Sequence, residues 1–258
     1  MVSDGTEGAA RVADVLLAFI GRDDAVGVTT LARELDLSKA VVHRILRTLV
    51  DRKLLEADIA TRGYRLGQAA AAIGARAMRE SRVREIAMPR MRELRSVTGE
   101  TSTLSVRVPG GRVYLDQVES LQEVKMTVEL GRRFPLHAGS SSRAILAFLP
   151  KDEQDSVIAA GLDPLTSETV IDPERLREAL ETVRSTGIAR SYGERQVGAA
   201  SVACPVFDLD GQVVAAISVC GPRVRLSDET MREFGTLVRS ASDQVSVALG
   251  WRGGLPTP

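Results

Sequence analysis

Three groups of residues in this 258-residue sequence have types and spacings that can do chemistry. Lys39, His43 and Arg47 stand four residues apart, with Arg44 beside them. On a helix those positions share one face, and a cationic face is what meets phosphates and base edges. Ser140, Ser141 and Ser142 follow Gly139 and precede an apolar run. At a helix start their hydroxyls would join free N–H groups and the positive end of the dipole, an anion site; the bland alternative is a capped loop. This stretch offers no evident buried base, so dipoles and hydroxyls would have to hold the anion. Finally, Cys204 or Ser141 with His137 could be drawn as nucleophile and base. No nucleophile elbow, orienting acid or phosphate loop accompanies them, and no CxxC, HExxH or GxGxxG context appears. An enzyme is therefore not expected, nor a metal or other cofactor. With only two histidines, His43 reads as a groove-facing or ordinary surface side chain rather than a ligand.

The elements that position the cationic face can be read from the N-terminal third. Residues 1–9 read as a flexible tail, and Arg11–Ile20 as a helix with Val12, Val15, Leu16 and Phe19 on one side. After a polar loop (21–27), Thr29 or Thr30 is expected to cap a short helix, Leu31–Leu35. Asp36-Leu37 makes a turn and Ser38 caps a third helix running to about Arg52. Val42, Ile45, Leu46, Leu49 and Val50 must face a core, which leaves Lys39, His43 and Arg47 outside. Leu54–Ala57 and Tyr64–Leu66 read as short strands around a wing, Asp58–Gly63, whose Arg62 can reach the duplex. Residues 10–66 thus predict a winged helix-turn-helix DNA-binding domain. Its candidate contacts are Thr29, Thr30, Ser38, Lys39, His43, Arg44, Arg47 and Arg62. Net charge is zero, with 34 bases against 34 acids, but the bases gather here: six against three acids from Arg33 to Lys53, and seven against three from Arg76 to Arg95. Solvated helix faces would give the same count.

Residues 67–81 are alanine-rich and predict a linker helix whose small side chains suit close approach by a second copy, hence a homodimer. From residue 82 to 251 the pattern is α+β. A helix to about Val97 is broken or kinked at Pro89, and Thr101–Val108 and Arg112–Val118 form a hairpin around Pro109-Gly110-Gly111. Val124–Leu130 reads as a third strand, Ser140–Leu149 as a helix, and Asp172 caps a helix that ends at Gly187. Ser201–Phe207 and Gln212–Cys220 form a second hairpin, and Ser227 caps a last helix to Gly250. The expected result is a curved antiparallel sheet flanked by helices, with residues 252–258 a flexible tail. In Gln212–Cys220, Ala216, Ser218 and Cys220 share one face and Ile217 and Val219 the other. The acidic, glycine-containing start and the lack of a long apolar run predict a cytoplasmic protein without a membrane partner.

The ordered segments VVHRILRTLVDRKLLE, GYRLG, VYLDQVES, GRRFPLHA, RAILAFLP and ACPVFDLDGQVVAAISVCGP resemble the IclR family of bacterial regulators over about residues 10–250. That resemblance implies a winged helix-turn-helix domain, a dimerising linker helix and a GAF-like effector-binding domain. It implies a homodimer or homotetramer on a partly palindromic double-stranded operator, switched by a small-molecule effector such as a carboxylate or aromatic metabolite. By the same resemblance Ser140 and Ser141 match backbone contacts to the effector, Met126 a wall position, and Ser201, Ala203, Ser218 and Cys220 further pocket positions. Ser142 belongs with the serine run, and Ser191 stands where some relatives carry Asp. Ala40-Val41 departs from a frequent Ser-Thr, which points to a different operator preference. The alternative is a dimeric ligand sensor with degenerate DNA binding, against which Lys39, Arg44 and Arg47 argue.

Overall fold

In the computed structural model of the protein, residues 4–22 and 24–254 are described. Contacts divide the chain between Ser81 and Arg82 into two compact units, each taken by itself below. Among the described residues no helix is long and apolar enough to cross a membrane.

The first unit runs α1 (Asp4–Leu17), α2 (Val28–Glu34), α3 (Lys39–Asp51), β1 (Leu55–Asp58), β2 (Gly63–Leu66) and α4 (Gln68–Glu80). α1 begins well before the expected Arg11, so residues 4–9 are helical and not a tail; residues 1–3 of the expected tail lie outside the described residues. Ala9 and Ala10 favour helix, and Glu7 pairs with Arg11 one turn on. α2 starts at Val28 behind Gly27, so Thr29 and Thr30 sit inside its first turn and neither caps it. Ser38 does cap α3, its Oγ accepting the Val41 N–H at 3.3 Å. Val15, Phe19, Leu31, Leu46, Leu49 and Leu55 close the core of the three helices and the hairpin. The loop before α2 adds a bridge, with Val26 and Tyr64 exchanging both backbone bonds at 2.9 and 3.0 Å. Gly67 lets the chain turn into α4, because a Cβ there would stand 2.5 Å from the Lys53 carbonyl. No residue of α4 is buried within this unit.

The second unit runs α5 (Arg82–Thr98), β3 (Thr101–Val108), β4 (Gly111–Val118), β5 (Arg133–Phe134), α6 (Ser140–Leu146), α7 (Lys151–Ala159), α8 (Pro173–Thr186), β6 (Ala189–Tyr192), β7 (Ala199–Phe207), β8 (Val213–Pro222) and α9 (Asp228–Ala248). The strands form one antiparallel sheet in the order β5-β4-β3-β8-β7-β6, so the two expected hairpins join through β3 and β8. α5 continues through Pro89, so of the expected break or kink the break does not occur. Ala87, Met91 and Leu94 hold it on the sheet on both sides of the proline, and that packing outweighs the roughly 3 kcal/mol an interior proline costs.

Residues 124–130 are not the expected strand; only Leu130 makes a bridge, to Tyr114. Their carbonyls are bound by side chains instead. Arg225 donates to Val124 O at 2.9 Å, Thr101 to Met126 O at 2.6 Å and Gln117 to Val128 O at 3.0 Å. The alternation is that of extended chain, but the partners are side chains and not a ladder.

The sheet has two different faces. Leu104, Ile217, Val219, Val202 and Cys204 pack under α5 and α9. The opposite face carries Thr103, Ser105, Ser201, Ser218 and Cys220, and α6 and α8 cover part of it with Ala203 and Ala216. Within the first unit, Leu46 is fully buried. Leu46→Ala should therefore cost about 2–5 kcal/mol of that unit's stability, seen as an earlier urea midpoint for it, with the second unit's transition unmoved.

Candidate functional site

Each unit presents one site. In the first, α3 buries Val42, Ile45, Leu46 and Leu49 and exposes Lys39, His43, Arg44 and Arg47. Among the described residues, no carboxylate pairs with Lys39, Arg44, Arg47 or Arg62, so all four cations remain open to phosphate. Thr29 and Ser38 are exposed beside them and Thr30 is half-buried. The wing is organised by a residue sequence reasoning missed. Asp58 Oδ1 accepts the N–H groups of Ala60 (2.9 Å) and Thr61 (3.1 Å), and Arg65 pairs with its other oxygen. The bond from Thr61, with Arg65 adding, holds the Asp58 carboxyl below its ordinary range. This turn leaves Arg62 exposed with φ of 54°. An aspartate two residues before a turn was the available signal.

The second unit holds a cavity of about 30 Å³ on the polar face of the sheet. The structure brings Met126, Ser140, Ser141, Ser191, Ser201 and Cys220 of the expected set to its wall. Strand register explains this grouping. Ser191, Ser201, Cys220 and Thr101 lie in one row across β6, β7, β8 and β3. Ala203 and Ser218 belong to the next row, with Ala189 and Thr103, so they do not border the cavity. Ser218 shares a 2.6 Å hydrogen bond with Thr103 that closes that row. Ser142 also stands back: it donates to Pro135 O at 2.8 Å and accepts from Arg112 Nε at 2.8 Å. Ser140 shares a 2.7 Å bond with Ser201.

Two expectations about charge need correction. α6 has only seven residues, and the Gly139 N–H before it already donates to the Glu194 carboxylate at 3.2 Å. Its positive end is therefore answered from within the protein. Nor does the site lack a buried base. Arg112 is 1% exposed and lines the cavity, and Arg143 is buried in an ion pair with Glu194. Arg195, half-buried, completes the wall. Sequence reasoning passed over Arg112 as one residue of a hairpin strand, although period two places it on the face of Tyr114, away from Val113 and Leu115. Gly139, with φ of 89°, turns the chain into α6 in a backbone region other residues avoid.

Of the suggested nucleophile and base, Cys204 and His137 are poorly placed for chemistry. Both cysteines are buried, and burial pushes the Cys204 thiol far above its usual range and that of Cys220 to about 12. His137 Nε2 lies 3.0 Å from the Asp163 carbonyl, outside the cavity wall.

The sequence matches the bacterial transcriptional regulator IclR C-terminal model over residues 75–247 and the IclR helix-turn-helix model over residues 8–58. This chain belongs to the IclR family. It is 33% identical over 251 residues to the HTH-type transcriptional regulator BhcR of Paracoccus denitrificans, which spans 97% of this chain and 90% of that relative. An IclR transcriptional regulator from Silicibacter sp. TM1040 superposes with a TM-score of 0.85 at 28% identity, covering 96% and 98% of the two chains. An IclR homolog from Microbacterium hydrocarbonoxydans, solved with 4-hydroxybenzoate, superposes with a TM-score of 0.69 at 26% identity, covering 94% and 98%. As an IclR-type protein the chain is a transcriptional regulator with a helix-turn-helix DNA-binding domain and a ligand-binding C-terminal domain, not an enzyme.

At pH 8 a thiol with a pKa of about 12 is ionised in about one molecule in ten thousand. Iodoacetamide should then leave the native regulator unlabelled over hours, while the urea-unfolded chain takes up label at both cysteines, as read by intact mass.

Proposed function

We propose that this regulator acts in the cytoplasm and reads a palindromic operator as a homodimer or homotetramer. α3 lies in the major groove, and a small metabolite in the C-terminal cavity changes its affinity for DNA. The observation that carries the DNA reading is the open cationic set Lys39, Arg44, Arg47 and Arg62 on the side of α3 and the wing opposite the buried Val42, Ile45 and Leu46. Side chains on that side touch no core, so their charge serves a partner. Ligand occupancy is supported by the cavity, and a carboxylate or aromatic acid fits the company of the 4-hydroxybenzoate-bound relative. Effector binding then shifts operator affinity by the difference it feels between two arrangements of the protein, typically 1–3 kcal/mol.

The exposed face of α4 supports the dimer. Ala71, Ala72, Ile73, Ala75 and Ala77 are all exposed on it, Ile73 at 62%. Small apolar side chains on a helix with no buried residue suit a second copy packed against it. Two heads related by a two-fold axis then match a palindromic site.

In gel shifts with fragments flanking the encoding gene, Arg47→Ala should lose the specific complex by about 1–3 kcal/mol while its thermal unfolding stays that of the wild type. An unchanged complex in a folded variant removes α3 as the reading element. Lys39→Ala should instead weaken every sequence alike and reduce the slope of log affinity against log salt by about one. Sedimentation of the free protein at micromolar concentration should show a dimer or larger; a monomer that also binds DNA singly contradicts the assembly.

A further inference from the structure

The tip of the wing, residues 59–62, carries two side chains that the fold itself does not use. Ile59 is 93% exposed, in a turn where Gly, Asn, Asp or Ser would be ordinary. Asp58 closes that turn through the N–H groups of Ala60 and Thr61, so the isoleucine side chain is not needed for it. A lone exposed isoleucine needs no explanation by itself. Its neighbour Arg62 does.

Arg62 has φ of 54°, in the left-handed region. Short hairpin loops often place a residue there, and glycine is favoured because a Cβ is crowded. Among the described residues two other non-glycine residues share a positive φ, Asp36 and Lys53. Aspartate tolerates that region, and Lys53 ends α3, where the Leu54 N–H reaches back to Leu49 O at 3.0 Å. Arg62 has neither reason. The glycine beside it serves packing instead: a Cβ on Gly63 would stand 2.8 Å from that of Ala25. Charge gives the remaining reason. Arg65, the other cation of the hairpin, is held by Asp58 and Glu56. The wing thus neutralises its unstrained arginine and presents the strained one, exposed and unpaired, beside an exposed isoleucine.

We infer that Ile59 is a specificity-determining residue: set in the minor groove beside each half-site, it selects A·T pairs and rejects G·C. On the floor of that groove A·T shows only acceptors, whereas G·C adds the guanine N2 amino group. Isoleucine offers that donor no acceptor and displaces the water that would have met it, so a G·C pair leaves a polar group unsatisfied. Against A·T the same side chain lies over a floor without that donor and against the sugar walls. The groove is about 6 Å wide, room for the tip of a turn and not for a helix. Arg62 supplies the attraction, because narrow A·T segments carry enhanced negative potential that draws a guanidinium in. Asp58 is a positioning residue, fixing the turn that presents both. The inference rests on the reading that α3 lies in the major groove, and adds to it a base preference outside the helix contact and the residue that sets it.

The test uses the full-length protein and the DNA fragment from beside the encoding gene that it shifts. Hydroxyl-radical footprinting should show minor-groove protection flanking each half-site, over A·T pairs. Within that segment single pairs are changed to G·C, to inosine·C, or to 2,6-diaminopurine·T. Inosine·C keeps the major-groove pattern of G·C without the amino group, and diaminopurine adds the amino group to an A·T pair. G·C and diaminopurine·T should each weaken wild type about tenfold, while inosine·C binds as A·T does. Ile59→Asn, whose carbonyl can accept from the amino group, should bind all four within about threefold, and Ile59→Val should keep the wild-type preference. At 93% exposure neither change threatens the fold. Arg62→Gly should weaken every flank and lower the salt slope by about one, with the urea midpoint of the first unit level or higher because the strain is gone. Absence of flanking protection, equal losses with G·C and inosine·C, or an undiminished preference in Ile59→Asn overturns the inference. Arg47→Ala separates the two levels. Loss of its complex beside an undiminished flank preference in Ile59→Asn leaves α3 as the reader and removes the wing as a selector. An unchanged Arg47→Ala complex instead overturns the α3 reading.

Discussion

Holding a guanidinium out of water without a carboxylate is among the costlier things a small domain can do, and the C-terminal unit is arranged around doing it at Arg112. The hydroxyls that stabilise the group come from three different elements. Ser105 is on β3, Tyr114 on β4 and Ser142 on α6. Ser105 follows a register shift between β3 and β4 at Leu104, an irregularity of the kind that re-aims a strand side chain. Ser142 links the arginine to the Pro135 carbonyl, so the group also sets where α6 begins. Neutral partners keep the charge in place without cancelling it, which leaves its field in the cavity.

Everything that must be stable is placed on the other face of the same sheet. Leu104, Ile217 and Val219 meet Met91, Met231, Val238 and Val245 of α5 and α9 there, and non-directional burial of this kind supplies the free energy that the polar face consumes. The polar face has to be satisfied group by group. The Thr103–Ser218 and Ser140–Ser201 bonds and the pairing of Arg143 with Glu194 do this around the cavity. Met126 is brought over the site by Thr101, whose hydroxyl donates to its carbonyl while accepting the Ser120 N–H at 3.0 Å. Row by row, the strand register decides which small polar residues border the cavity and which only support those that do.

That distinction marks where sequence reading succeeded and where it ran out. Helix α3, its Ser38 cap, the Asp172 cap of α8 and both hairpins were legible, because local periodicity and capping chemistry specify them. The short pieces were not: β5 has two residues, β6 four, and the polar α7 carries little apolar pattern. Residues 124–130 alternate like a strand, yet Arg225, Thr101 and Gln117 reach them from distant positions that no local pattern reveals. Met126, Ser140, Ser141, Ser191, Ser201 and Cys220, named from alternation and resemblance, border the cavity. Ala203 and Ser218 lie one row away from it, because alternation fixes the face of a strand but not the depth along it. Arg112 was missed because its weight lies in an absence, the missing carboxylate, which only the assembled fold can show.

The arginines of the two sites stand under opposite dielectric conditions. The cations of α3 are exposed, and their attraction for phosphate is weakened by every added counter-ion. Arg112 works behind protein walls at 1% exposure, where screening by salt is weak and a hydrogen-bonded charge counts for more. On the proposed reading, ionic strength acts chiefly through the exposed cations of α3. An effector can bias the regulator only by the difference in its affinity for two arrangements. Raising salt should therefore lower operator affinity steeply, because each phosphate those cations meet releases counter-ions that added salt opposes.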